Sequence, residues 1–202
     1  MVLTVEAIKQ LRKETNAGVM DCRQALEQAG GNITHALAIL RERGLEKAAK
    51  NADHPAMQGM IETYSHAGGR IGVMVEINSE TDFAARSATL RTFAHEIALQ
   101  VAAAAPRFVR DEDIPAEALE KETQEAAERA LHTGKPQAIR ERIVEGQLRK
   151  FRDENVLLRQ VYIRDENLTV AQLLGQAIAQ VGENIVIRRF TRWELEPGDL
   201  TT

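Results

Sequence analysis

Ile71-Gly72-Val73-Met74-Val75-Glu76-Ile77-Asn78-Ser79-Glu80-Thr81-Asp82-Phe83-Ala84-Ala85-Arg86 is the stretch on which the fold turns. Ile71, Val73, Val75 and Ile77 alternate with Gly72, Met74, Glu76 and Asn78, the period of a strand with one buried face. Just upstream, Met60-Ile61-Glu62-Thr63-Tyr64-Ser65 leads into His66-Ala67-Gly68-Gly69-Arg70. Two strands around a glycine-rich turn predict a β-hairpin. Downstream, Ser87 begins a helix with Leu90, Phe93, Ala94, Ile97, Ala98 and Val101 on one face, ending before Pro106. Residues 79–86 therefore lie between the end of a strand and the cap of a helix.

Before the hairpin, residues 1–45 read as three short helices. Thr4 caps the first, with Val5, Ile8 and Leu11 along one face. The second runs from about Met20 to Ala29, with Cys22, Ala25, Leu26 and Ala29 inward, and Gly30-Gly31 stops it. Asn32 caps the third, whose stripe is Ala36, Leu37 and Leu40 and whose exit is placed at Gly44. Residues 46–58, with Asp53-His54-Pro55, read as a linker. Beyond the hairpin, Arg110 to Glu154 is charged and helical, with a break near Thr133-Gly134-Lys135-Pro136. Leu157–Ile163 and Asn184–Arg192 are strand candidates, separated by a helix opening at Thr169. The expected class is α+β: a three-helix module (1–45), a linker (46–58), a core of small antiparallel sheet covered by helices (59–195) and a tail (196–202).

The 202 residues carry 26 Lys and Arg against 30 Asp and Glu, a net charge of −4 that excludes a general phosphate-neutralising surface. Arg188, Arg189 and Arg192 on the last strand are read as a solvated or interface face, not as an RNA surface. With 28% charged and 44% hydrophobic residues, the composition is that of a globular chain. A single cysteine, Cys22, excludes an intrachain disulfide and a multi-cysteine metal site. The N-terminus shows no basic segment followed by an apolar run, and no apolar stretch approaches a membrane span, so the expected compartment is the cytoplasm.

Catalytic signatures fail one after another. His95-Glu96-Ile97-Ala98-Leu99 begins like a zinc-protease helix, but Leu99 stands where the second histidine is needed. Gly134-Lys135 is followed by Pro136, where a phosphate loop requires Ser or Thr. Cys22 falls on the inner face of a helical module, a place for a small apolar group and not for a nucleophile. The chain is therefore read as no enzyme, with no catalytic residue, no metal site and no cofactor.

Phe83 stands out, because an aromatic in a polar surface connection is unusual. It is either a core anchor tucked under the following helix or an exposed aromatic for a pocket on another protein, with Asp82 accepting partner amides.

Thr81-Asp82-Phe83-Ala84-Ala85-Arg86 resembles the T-D-F-x-A-[KR] signature of the translation elongation factor Ts family. The hairpin Gly69–Asn78 is similar to another family hallmark. The stretch Leu11-Arg12-Lys13-Glu14-Thr15-Asn16-Ala17-Gly18-Val19-Met20-Asp21-Cys22-Arg23-Gln24-Ala25-Leu26 resembles the family's opening module. Gly134-Lys135-Pro136, Val144-Glu145-Gly146 and Leu157-Leu158-Arg159-Gln160 extend the likeness, in order, along nearly the whole chain.

That resemblance implies a guanine-nucleotide exchange factor for elongation factor Tu. It implies a ubiquitin-associated-like (UBA-like) N-terminal module touching the GTPase domain through Arg12, Val19 and Met20. Val19 replaces a usual methionine, which keeps an apolar surface. Thr81, Asp82 and Phe83 match the partner-binding signature, in which Asp82 and Phe83 are the intruding pair, whose aromatic disturbs the partner's magnesium and phosphate site. Ala84, Ser79 and Val161 depart from the commonest family residues without removing that pair. With one sheet's worth of strands, the chain resembles the short class, which implies a homodimer paired through its sheets. The alternative is a UBA-type protein-binding adaptor, which accounts for the first quarter of the chain only.

Overall fold

The computed structural model describes residues 4–15 and 17–195, so the tail expected over 196–202 lies outside the described residues. Three helices open the chain: α1 (Val5–Thr15), α2 (Val19–Gln28) and α3 (Ile33–Asn51). Their starts follow local chemistry. Thr4 Oγ1 accepts from the Ala7 amide at 3.2 Å, and Asn32 Oδ1 accepts from the His35 amide at 3.0 Å. Leu11, Cys22, Ala25, Leu26, Ala36 and Leu40 close a small apolar core between them. Cys22 is fully buried and packs as a small apolar group, and that burial pushes its thiol above the ordinary value.

Gly44 is not the exit of α3, as its position in the sequence suggests; the helix continues to Asn51. The glycine serves a different end. It lets α3 cross α8 (Val170–Val181) backbone to backbone, since a Cβ on Gly44 would stand 3.2 Å from the carbonyl carbon and oxygen of Gly175. Arg41 Nη1 donating to the Asn167 carbonyl (2.9 Å) and Lys47 Nζ donating to the Ala179 carbonyl (3.2 Å) flank that crossing. Residues 46–51 are thus helical, and only 52–57 connect α3 to the first strand.

The main sheet has the order β1 (Gln58–His66), β2 (Ile71–Ser79), β5 (Ile185–Glu194), antiparallel throughout with β2 in the centre. The predicted hairpin is present, its turn closing over Ala67–Gly69. Val73, Val75 and Ile77 face inward with Ile185 and Ile187, against Leu90, Phe93, Ile97 and Val101 of α5 (Ala88–Ala104) and Ile178 of α8. The other face carries Ile61, Met74 and Trp193, all exposed. A short turn of helix, α4 (Asp82–Ala85), joins β2 to α5.

The charged segment forms two helices, α6 (Ala116–Leu131) and α7 (Gln137–Asn155), that fold against each other around Ala126 and Ala130. The strand expected over Leu157–Ile163 shrinks to β3 (Val161–Tyr162), which pairs with β4 (Asp165–Thr169). The reason is hydrogen-bond competition. The Leu157 and Leu158 amides donate to the carbonyls of Phe108 and Val109, at 2.9 and 3.1 Å, which winds Leu157–Arg159 into a 3-10 turn. Buried Gln100 then bridges the segment, donating to Gln160 Oε1 (3.1 Å) and accepting from the Ile163 amide (2.9 Å). Among the described residues no helix is long and apolar enough to cross a membrane.

Candidate functional site

Residues 79–86 leave the central strand and turn at once into α4, a helix too short to hold its own direction. Its first turn is set by Thr81, whose hydroxyl oxygen accepts from the Ala84 amide at 3.2 Å. The same hydroxyl donates to Glu183 Oε1 at 2.8 Å, and the Thr81 amide donates to Glu183 Oε2 at 3.0 Å. A reciprocal bond runs beside it, with Glu80 Oε1 accepting from the Asn184 amide at 2.6 Å. The Glu80 carboxyl is held below its ordinary value first by that amide and then by His54, whose Nδ1 lies 3.1 Å away. Asn184 Nδ2 donates to the His54 carbonyl at 2.8 Å, which fastens the connection before β1 to the same knot.

On this frame Phe83 stands 84% exposed. Of the two readings of that aromatic, the core anchor is not what the chain adopts: Ala84 and Ala85 take the buried positions of the turn, and the ring points away from them into solvent. Asp82, also exposed, pairs with Arg86 one turn on, Oδ2 to Nη2 at 3.3 Å.

The helical module presents a second set of groups. Val19 and Met20 open α2 with 48% and 60% of their surface exposed, and Arg12 is exposed at the end of α1. Gly18 and Asp21, which bracket the two apolar residues, line an open groove of about 600 Å³ together with Arg12. Its opposite wall is made by Ala88 and Thr89, the first turn of the helix that follows Phe83, and by Gln176 of α8. The fold therefore brings Arg12 and the start of α2 into one groove with the segment just after the exposed aromatic.

A model of the family described as Elongation factor TS matches residues 4–177. An elongation factor Ts of Caldanaerobacter subterraneus subsp. tengcongensis is 52% identical over 197 residues, covering 98% of both chains. The chain belongs to the elongation factor Ts family. Other members are similar: that of Thermoanaerobacter sp. (strain X514) is 50% identical, over 98% of this chain and 97% of its own. That of Carboxydothermus hydrogenoformans is 50% identical, over 98% of this chain and 91% of its own.

For this elongation factor Ts family member, the signature residues Thr81, Asp82 and Phe83 occupy one turn, and the signature's alanine and basic positions have separate structural uses. Ala85 is buried under the turn, and Arg86 pairs with Asp82. Glu80, Glu183, Asn184 and His54 take part in the same knot without being singled out by the sequence. Val181-Gly182-Glu183-Asn184 signals only a helix stop, and Gly182 indeed closes α8 in the left-handed region with φ 88°. Among the described residues no three His, Cys, Asp or Glu side chains gather as a metal site, and His95 Nδ1 is engaged with Glu62 at 2.9 Å.

Proposed function

We propose that this chain is a guanine-nucleotide exchange factor that binds elongation factor Tu carrying GDP and promotes GDP release, supporting translation elongation in the cytoplasm. The observation that carries the proposal is Phe83, an aromatic left 84% exposed on a clamped one-turn helix. What supports the reading is that this exposed ring is held on a fixed turn within the family's signature stretch, and that aromatics buried on binding dominate interface energetics. Phe83 enters the GTPase domain, with Asp82 beside it and Thr81 holding the turn. Arg12, Val19 and Met20 of the UBA-like module hold the same domain from the other side of the groove.

No covalent step is assigned to the chain, and it needs no cofactor of its own. Magnesium tolerates little departure from octahedral geometry, so a small displacement around the partner's metal and phosphates weakens its hold on GDP. The coupling is reciprocal: the factor by which this chain lowers GDP affinity is the factor by which GDP lowers the chain's affinity. Rebinding of nucleotide then expels the chain.

The core (59–195) also serves as the dimerisation unit. Ile61 lies opposite Glu76, Met74 opposite Thr63 and Thr191, and Gly72 opposite Trp193, so Ile61, Met74 and Trp193 share the sheet face that no described element covers. Two sheets facing each other would bury that face about 10 Å apart.

The test is release of a fluorescent GDP analogue from purified elongation factor Tu with and without the chain. Fast, dose-dependent release that Phe83→Ala abolishes supports exchange; no acceleration by a folded sample overturns it.

A further inference from the structure

We infer that Glu183, at the turn between α8 and β5, is the positioning residue of the exchange site, acting through Thr81 to aim Phe83. The inference rests on the exchange reading above and adds to it a residue outside the signature stretch. Its two carboxylate oxygens have separate tasks. Oε2 accepts the Thr81 amide at 3.0 Å and fixes where the chain leaves β2. Oε1 accepts the Thr81 hydroxyl at 2.8 Å, and this orients the hydroxyl's lone pair toward the Ala84 amide, 3.2 Å away. A single carboxylate thus sets both the entry and the cap of α4.

The buried Ser79 hydroxyl also holds Thr81, donating to its carbonyl at 3.0 Å, but the amide and the cap hydroxyl are held by Glu183. α4 has four residues, so its internal bonds, Ala85 amide to Thr81 carbonyl and Arg86 amide to Asp82 carbonyl, both 3.1 Å, cannot hold it alone. The Asp82–Arg86 pair is exposed at both ends and contributes little direction. Ala84 and Ala85 are buried against the body but bring only a methyl each to that packing. Glu183 itself is well placed to resist a pivot. It follows the left-handed Gly182 and precedes Asn184, whose amide is bonded to Glu80 at 2.6 Å, so the turn that carries it is tied to the same strand end.

The consequence is kinetic. With Glu183 removed, Arg12, Val19 and Met20 of the helical module still meet the partner, but Phe83 samples directions that do not fit. The encounter survives and the maximal rate falls, because an interaction that must be aimed acts mainly on the transition state.

The experiment compares wild type, Glu183→Ala and Glu183→Gln by stopped-flow release of a fluorescent GDP analogue from elongation factor Tu, over a range of chain concentrations. Glu183→Ala is expected to lower the maximal rate roughly tenfold, the scale of losing charge-assisted bonds and a helix cap. The half-saturating concentration is expected to stay within about threefold, a shift under the tenfold that 1.4 kcal/mol would bring. Glu183→Gln keeps the length and an acceptor for the amide and is expected to restore most of the rate. A maximal rate for Glu183→Ala within about twofold of wild type, or a glutamine variant as slow as alanine, overturns the inference. Amide hydrogen exchange on the free chain separates the two readings. Ala84 and Ala85 amides are expected to exchange faster in Glu183→Ala than in wild type even if wild type fails to release GDP, a failure that would count against exchange alone. Unchanged protection at both amides overturns the positioning role.

Discussion

The backbones of Gly44 on α3 and Gly175 on α8 are in direct contact: a Cβ built on Gly175 would stand 3.0 Å from the Gly44 carbonyl carbon. Neither position needs a left-handed backbone, so what each glycine supplies is the absence of a side chain. Through this crossing the helical module sits on the core. Gly175→Leu would force the two helices apart, and overpacking of this kind costs about 1–3 kcal/mol. Chemical denaturation is the check, with Gly175→Ala expected to lie between wild type and leucine. An unchanged midpoint for the leucine variant would mean that the crossing opens freely.

Phe83→Ala should separate function from stability. The ring is exposed and packs on little, so truncation is expected to change unfolding free energy by less than about 0.5 kcal/mol. As a contact made mainly in the transition state for release, its loss is on the order of 2–4 kcal/mol, a roughly 30- to 1,000-fold slower release of GDP. Calorimetry of the free chain and stopped-flow GDP release from elongation factor Tu measure the two quantities separately.

Trp193, the chain's single tryptophan and 78% exposed, lies on the open sheet face and reports on dimerisation. Paired sheets would bury the indole, so its emission is expected to shift to the blue as concentration rises. Ile61→Glu, placing a charge on the same face, should hold the emission red and the light-scattering mass at one chain. A wild-type mass of one chain at micromolar concentration would contradict the pairing.

Tyr162 predicts the alkaline behaviour. Burial first, and then the 2.6 Å bond to Glu96 Oε2, raise its phenol well above the ordinary value of 10.0. A raised folded value means that the contribution is fully present below about pH 10, the unfolded phenol's value, and is lost as pH rises toward the folded one. Tyr162→Phe should cost about 1 kcal/mol at neutral pH and flatten the decline of stability above pH 10. A decline as steep in the phenylalanine variant as in wild type would assign it to other groups.

Ala105 closes α5 with φ 44°, a left-handed conformation that costs a residue with a side chain roughly 1 kcal/mol. Ala105→Gly is therefore expected to raise the melting temperature by a few degrees.

Caps and periods were the legible part of this chain. Thr4, Asn32, Ser87 and Thr169 each begin a helix by accepting an amide three residues on, a bond whose partners are visible in a short window. The hairpin was legible for the same reason. Gly44 reads as a helix exit in the sequence because its use depends on Gly175, far along the chain. Leu157–Ile163 looked like a strand by composition, yet its amides found Phe108, Val109 and Gln100 instead of a neighbouring strand. At the site, Thr81, Asp82 and Phe83 stood out by type and pattern. Glu183 did not, since a lone glutamate after a helix-stopping glycine looks like any solvated turn.

The bond between Thr81 and Glu183 also spans time. Thr81 leaves the ribosome 102 residues ahead of its carboxylate, several seconds at about 5–20 residues per second. During that interval the helical module and the hairpin can form, but the aromatic has nothing to aim it. On the exchange reading proposed above, a product cut short before Glu183 would carry the whole signature without the carboxylate that aims it.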